Sequence, residues 1–186
     1  MRVATDFETM LEAMRSAAAL LRDAGIPFAL AGSVAVYARG GADTNHDVDF
    51  LIKPEDADRA LEALADGGFR PERPPEGWLY KAFDTKGVMV DLIFRPAAGA
   101  VNDELLGRAE TVEVHAIQVP ALSVTEILAG KLLALREHHL DIGPVLEVAR
   151  SVREQIDWDE LRSRTADSPN AKAFFAVAEE LGLDAS

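Results

Sequence analysis

Apolar residues first recur at helical steps. Met10, Leu11, Met14, Ala18 and Leu21 lie between Thr5 and Glu8, which have capping-box spacing, and Gly25, a stop signal. The spacing predicts a helix over 6–24. Pro27 then opens an apolar run, read as a strand over 28–31, and a short helix follows from Ser33 to Arg39. After the Gly40-Gly41 break the period changes to two. Val48, Phe50 and Ile52 alternate with Asp47 and Asp49, predicting a strand over 48–53 with its carboxylates on the polar face. Pro54 starts a helix over 55–66 with Ala57, Leu61 and Leu64 inward, and Gly67-Gly68 ends it. Pro71, Pro74 and Pro75 mark a loop. Strands are predicted over 78–83 and 88–94, joined by the hairpin signal Asp84-Thr85-Lys86-Gly87. A short helix over 103–109 and a strand over 112–119, ending at Pro120, complete this part.

From there the pattern is helical. Ser123 and Glu126 repeat the capping-box spacing before a helix over 124–138. Helices over 144–154, 158–165 and 170–181 follow, the last announced by Ser168-Pro169. The expected fold is therefore α/β (α+β), a mixed sheet of about five strands flanked by helices. Residues 1–120 form the core, and 121–186 form a helical C-terminal region packed on it.

Composition narrows the function classes. With 48% hydrophobic residues the chain can bury a substantial core, and no apolar run reaches the roughly 20 residues of a membrane span. The absence of cysteine removes disulfide and thiolate chemistry and fits a cytoplasmic protein. A formal charge of −13 argues against a broad nucleic-acid surface.

Within this frame, Phe28 to Lys53 carries candidate chemistry. Two carboxylates on one strand face, Asp47 and Asp49, are costly beside an apolar run unless a cation joins them. Hard oxygen donors suit Mg²⁺, which takes phosphates as further ligands. The competing explanation is that both are turn residues closing a Gly-rich loop. Gly32-Ser33 stands where a strand turns into a helix, a place for phosphate on backbone N–H groups; Ser33 would equally serve as an N-cap.

This order of motifs resembles the nucleotidyltransferase superfamily of the DNA polymerase beta type: Gly-Ser, a short helix, then Asp-x-Asp at a strand start. Here thirteen residues separate Ser33 from Asp47. The resemblance implies a nucleotidyltransferase fold and a third carboxylate on a later strand. Asp91, within Val88-Met-Val-Asp-Leu-Ile-Phe94, would be that ligand and the general base toward an acceptor hydroxyl. Otherwise Asp91 is one half of an ion pair or lies at a wet edge. Gly32 and Ser33 would hold the β- and γ-phosphates of an NTP, and two Mg²⁺ ions would clamp the attacking and leaving oxygens.

Lys131 interrupts the apolar stripe Val124, Ile127, Leu128, Leu132 and Leu135. It either snorkels or directs a cation at the triphosphate. The segment Pro120 to Arg136, with Asp141 beyond it, looks like the AbiEii-type nucleotidyltransferases, a group that includes toxins of type IV toxin–antitoxin pairs. By that likeness Lys131 contacts phosphate and Asp141 is a later acid, although Asp141 also suits an N-cap. Many members carry Arg and Thr just before Asp-x-Asp, where this chain has Asp43 and Asn45. His46 adjoins the Asp pair as a charge partner or substrate contact. Arg39 stands near the expected phosphates, and His115, His138 and His139 show no metal spacing.

The resemblance implies transfer of an NMP from an NTP to an acceptor: a tRNA end or a protein for a toxin with a cognate antitoxin, or a small molecule for an antibiotic-type enzyme. A nucleotide-binding module of the same fold without catalysis is the alternative of a different class.

Overall fold

The computed structural model of the chain describes residues 7–42, 47–135 and 141–184. Thr5, Asp43, Asn45, His46, His138, His139 and the predicted helical turn at 136–138 lie outside them. The elements in order are α1 (Phe7–Asp23), β1 (Phe28–Ala31), α2 (Gly32–Tyr37), β2 (Val48–Ile52), a single 3₁₀ turn (Pro54–Asp56), α3 (Ala57–Asp66), β3 (Arg70–Glu72), β4 (Leu79–Phe83) and β5 (Met89–Ile93). They continue with α4 (Asp103–Gly107), β6 (Glu110–Val114), β7 (Ile117–Ala121), α5 (Val124–Ala134), α6 (Gly143–Ser151), a second 3₁₀ turn (Arg153–Gln155), α7 (Trp158–Arg164) and α8 (Pro169–Glu180).

The strands form one mixed sheet in the order β3-β4-β5-β2-β1-β7-β6. Seven strands stand where about five were expected, for two local reasons. The run read as a single strand over 112–119 is a hairpin in which Val114 faces Ile117. Its turn residues, His115 and Ala116, have φ of 46° and 62°. Two-residue hairpin turns favour Asn and Gly at such angles, so His-Ala carries no turn signal in the sequence. The Pro-rich stretch read as a loop also contributes β3, an edge strand on which Pro71 is tolerated because its missing N–H faces away from the ladder.

The patterning holds elsewhere. Met10, Leu11, Met14 and Leu21 of α1 are buried, as are Ala57, Leu61 and Leu64 of α3. Ser123 caps α5 by accepting from the Glu126 N–H, and Ser168 caps α8 by accepting from the Ala171 N–H. The helix predicted to reach 138 stops at Ala134, because Leu135 is extended; the Asn170 amide donates to its carbonyl.

Val48, Phe50 and Ile52 are fully buried. Helices α1 and α3 pack on each other and on the central strands. Asp49 points to the other face, toward α5. One continuous apolar core joins the sheet to α5 through α8, including Leu128, Leu132, Leu161 and Phe174. Among the described residues no helix is long and apolar enough to cross a membrane.

Candidate active site

Strand register brings the carboxylates together. Strand β2 runs parallel to β5, and Asp49 pairs with Asp91. On the other side β2 runs antiparallel to β1, and Asp49 pairs with Ala31, the residue before Gly32. Gly32 has φ of 60°, and a Cβ built on it would fall 1.8 Å from Asp49 Oδ2. Only glycine fits there: the left-handed backbone disfavours a side chain and the carboxylate already fills its space. The glycine of the Gly-Ser pair thus lets the start of α2 lie directly against the Asp49 carboxylate. Ser33 is the second residue of α2. The cap position falls on Ala31, which has no capping group, so Ser33 is not the N-cap.

Asp49 titrates abnormally for this reason. Its pKa is pushed up from 3.8 to about 7, first by burial, then by Asp91 and Asp47, while Lys131 and Lys81 pull it down. Asp91 is buried and ion-paired: Lys81 Nζ donates to its two oxygens at 3.0 and 3.3 Å. Lys81 sits directly across from it on β4.

A cavity of about 440 Å³ opens beside this row. Gly32, Asp49 and Lys131 line its charged end. Leu51, Trp78, Ile93, Leu122, Ile127 and Leu133 form apolar walls, joined by Arg95 and Glu126. Lys131 therefore reaches the Asp49 end of the cavity from α5, across the space between helix and sheet. Asp47 immediately precedes β2 and is near enough to raise the Asp49 pKa. Ser33 and Asp91 stand next to lining residues in the chain or the sheet without lining the cavity themselves. Asp141 is exposed, outside the cavity lining, and accepts from the Gly143 N–H at 3.2 Å; the N-cap of α6 falls on Ile142, so Asp141 precedes the cap position.

Three residues with clear roles here were invisible or misplaced in the sequence. Lys81 is one lysine among several until the strand register puts it on Asp91. Glu126 was read only as half a capping box. Its side chain, buried, instead accepts from Arg108 at 3.0 Å and Arg164 at 2.7 Å, tying α4, α5 and α7 together beside the cavity. Arg39 is not among the residues that line the cavity. Its guanidinium donates to the carbonyls of Leu122 and Ala121 and to Glu110, fastening α2 to the end of β7.

The donor set fits a hard divalent cation in part. Asp49 on β2 and Asp47 just before it are oxygen donors, with the Gly32 cradle against Asp49. No group of three acidic or histidine side chains is placed to hold an ion among the described residues, and Asp91 is engaged by Lys81.

A family model described as uncharacterised nucleotidyltransferase matches residues 3–185. The chain belongs to this nucleotidyltransferase family. Solved structures agree on the fold. The antibiotic-resistance factor ANT(2'')-Ia is similar at a TM-score of 0.65 and 15% identity, over 94% of this chain and 97% of that one. The lincosamide antibiotic adenylyltransferase LnuA, solved with lincomycin bound, is similar at 0.53 and 14%, over 78% and 97%. An antigenic nucleotidyltransferase-like protein from Paracoccidioides brasiliensis is similar at 0.52 and 20%, over 91% of each chain. No curated protein sequence matches.

Proposed function

We propose that this nucleotidyltransferase moves an NMP from an NTP to the hydroxyl of a small organic acceptor bound in the cavity, releasing pyrophosphate. The observation that carries this is the cavity itself, with Gly32, Asp49 and Lys131 at one end and mostly apolar walls, joined by Arg95 and Glu126, over the rest. Such walls favour an acceptor with an apolar body over a polyanion, and so does the net charge of −13. ANT(2'')-Ia has been solved with adenylyl-2''-tobramycin, which is consistent with a small acceptor on this fold.

In this reading the backbone of Gly32 and Ser33 orients the triphosphate, and Lys131 offsets its charge from α5. Asp91 receives the proton of the acceptor hydroxyl as its oxygen bonds to the α-phosphorus and the bond to pyrophosphate breaks. Asp47 and Asp49, with Asp91 beside them, would hold Mg²⁺, which supplies neutralisation of phosphate charge. The division near residue 120 has a function here: the sheet part presents the carboxylates, and the helical part supplies Lys131 and half of the cavity wall. NTP as substrate and the lack of cysteine suit the cytoplasm.

A second reading has its own support. The AbiEii-type likeness expects a lysine on the helix after the sheet to meet phosphate, and Lys131 does line the cavity beside Asp49. That reading makes tRNA or a protein the acceptor, adds a cognate antitoxin and assigns Asp141 as the later acid.

Incubation with each α-labelled NTP and a cell extract split into small-molecule, RNA and protein fractions separates the two. Label in the small-molecule fraction is expected. Label confined to RNA or protein would support the toxin-like reading, and no label with any NTP would indicate a binding module without catalysis.

A further inference from the structure

Asp91, Asp49 and Ala31 lie in one row across β5, β2 and β1, and Lys81 extends that row on β4. Neighbouring strands are about 4.8 Å apart, so two carboxylates in adjacent register need a cation between or beside them. The chain supplies one. Lys81 Nζ meets both Asp91 oxygens and lies 3.2 Å from Met89 Sδ, which fixes its stem along β4 and β5. The ammonium is mostly buried, at 23% side-chain exposure, against 11% for Asp91. A divalent ion bridging Asp49 and Asp91 would need Asp91 oxygens at about 2.1 Å. Lys81 already donates to both, and its positive charge would stand against the ion.

We propose that the Lys81 ammonium is the resident counter-ion of Asp91, so that the enzyme takes one divalent ion, on Asp47 and Asp49, rather than two. This rests on the metal-dependent reading above. Lys81 does chemically what the second ion would do at that place: it holds the Asp91 carboxylate and offsets its charge. Lys81 is thus a positioning residue that acts through Asp91. Its removal would take away the charge that stands against a second ion there.

The test is ion stoichiometry, using Mn²⁺ with the α,β-methylene analogues of the four NTPs. Calorimetry counts the ions bound per chain, and electron paramagnetic resonance reports whether two Mn²⁺ are close enough to couple. Wild type should bind one Mn²⁺ with no coupling. Lys81→Met should bind two, with a coupled spectrum, and Lys81→Arg should return to one. If Lys81→Met does not fold, Lys81→Gln removes the charge and keeps a hydrogen-bonding side chain. Two coupled ions in wild type, or one ion in both neutral variants, would overturn the inference while leaving the metal reading standing. No Mn²⁺ bound to wild type would overturn the metal reading and the inference with it.

Discussion

At the scale of single residues, the carboxylate Asp49 is held where its charge is unfavourable. Its pKa is about 7 in the fold against 3.8 ordinarily, so the folded state keeps a proton that the unfolded chain loses as pH rises. The corresponding stability is present below about pH 4 and is lost as pH climbs to about 7. Asp49→Asn should therefore match wild type near pH 4 in thermal melts. Above pH 7 it should be more stable, by at most about 4 kcal/mol, since one pKa unit corresponds to about 1.4 kcal/mol. Mg²⁺ with NTP should raise the wild-type melting temperature and not that of the variant. A constant difference across pH would mean that Asp49 is not strained. Gly32→Ala places a methyl group against the same carboxylate on a left-handed backbone. It should cost at least about 1–2 kcal/mol of stability and most of the turnover. Wild-type values of both would show that the start of α2 moves freely away from β2. Lys131→Met keeps the aliphatic stem and removes the cavity cation. Stability should stay within about 1 kcal/mol while kcat/KM for the NTP falls at least about tenfold, the worth of a charge-assisted phosphate contact. Unchanged kcat/KM would leave Lys131 as packing.

At the scale of elements, the β6–β7 hairpin places two non-glycine residues, His115 and Ala116, in the left-handed region. Ala116→Gly removes one steric penalty and should stabilise by roughly 0.5–1 kcal/mol, read as a rise of a few degrees in melting temperature. His115 is less replaceable, since its ring lies near Phe7 and Tyr37. This hairpin also shows why element count was harder to read than element type. Alternation gives the faces of a strand, but a turn without Gly or Asn leaves no trace in the pattern. The caps behaved differently. Ser123 and Ser168 act within their own helix turns, so local spacing was enough to find them.

At the scale of the whole molecule, the helical C-terminal region and the sheet share one apolar core, and Arg39 binds α2 to the chain just before α5. A fragment ending at residue 120 would lose α5 with the buried Ile127, Leu128 and Leu132, and expose the part of α2 that α5 packs on. It should not give a cooperative melt or resist proteolysis; a stable fragment would show that the core part folds alone. This shared core also separates what the sequence alone determined from what needed the fold. Helix faces, the two-residue spacing of Asp47 and Asp49, the Gly-Ser turn and the family resemblance were all legible, because each depends on residues within a few positions of one another. Which carboxylates become neighbours was not, since parallel register between β2 and β5 is set by packing of segments some forty residues apart. The same holds for Lys81 on Asp91, for Glu126 between two arginines and for Lys131 over Asp49. Each is an ordinary charged residue along the chain, and only tertiary burial, which makes an unpartnered charge costly, selects its partner.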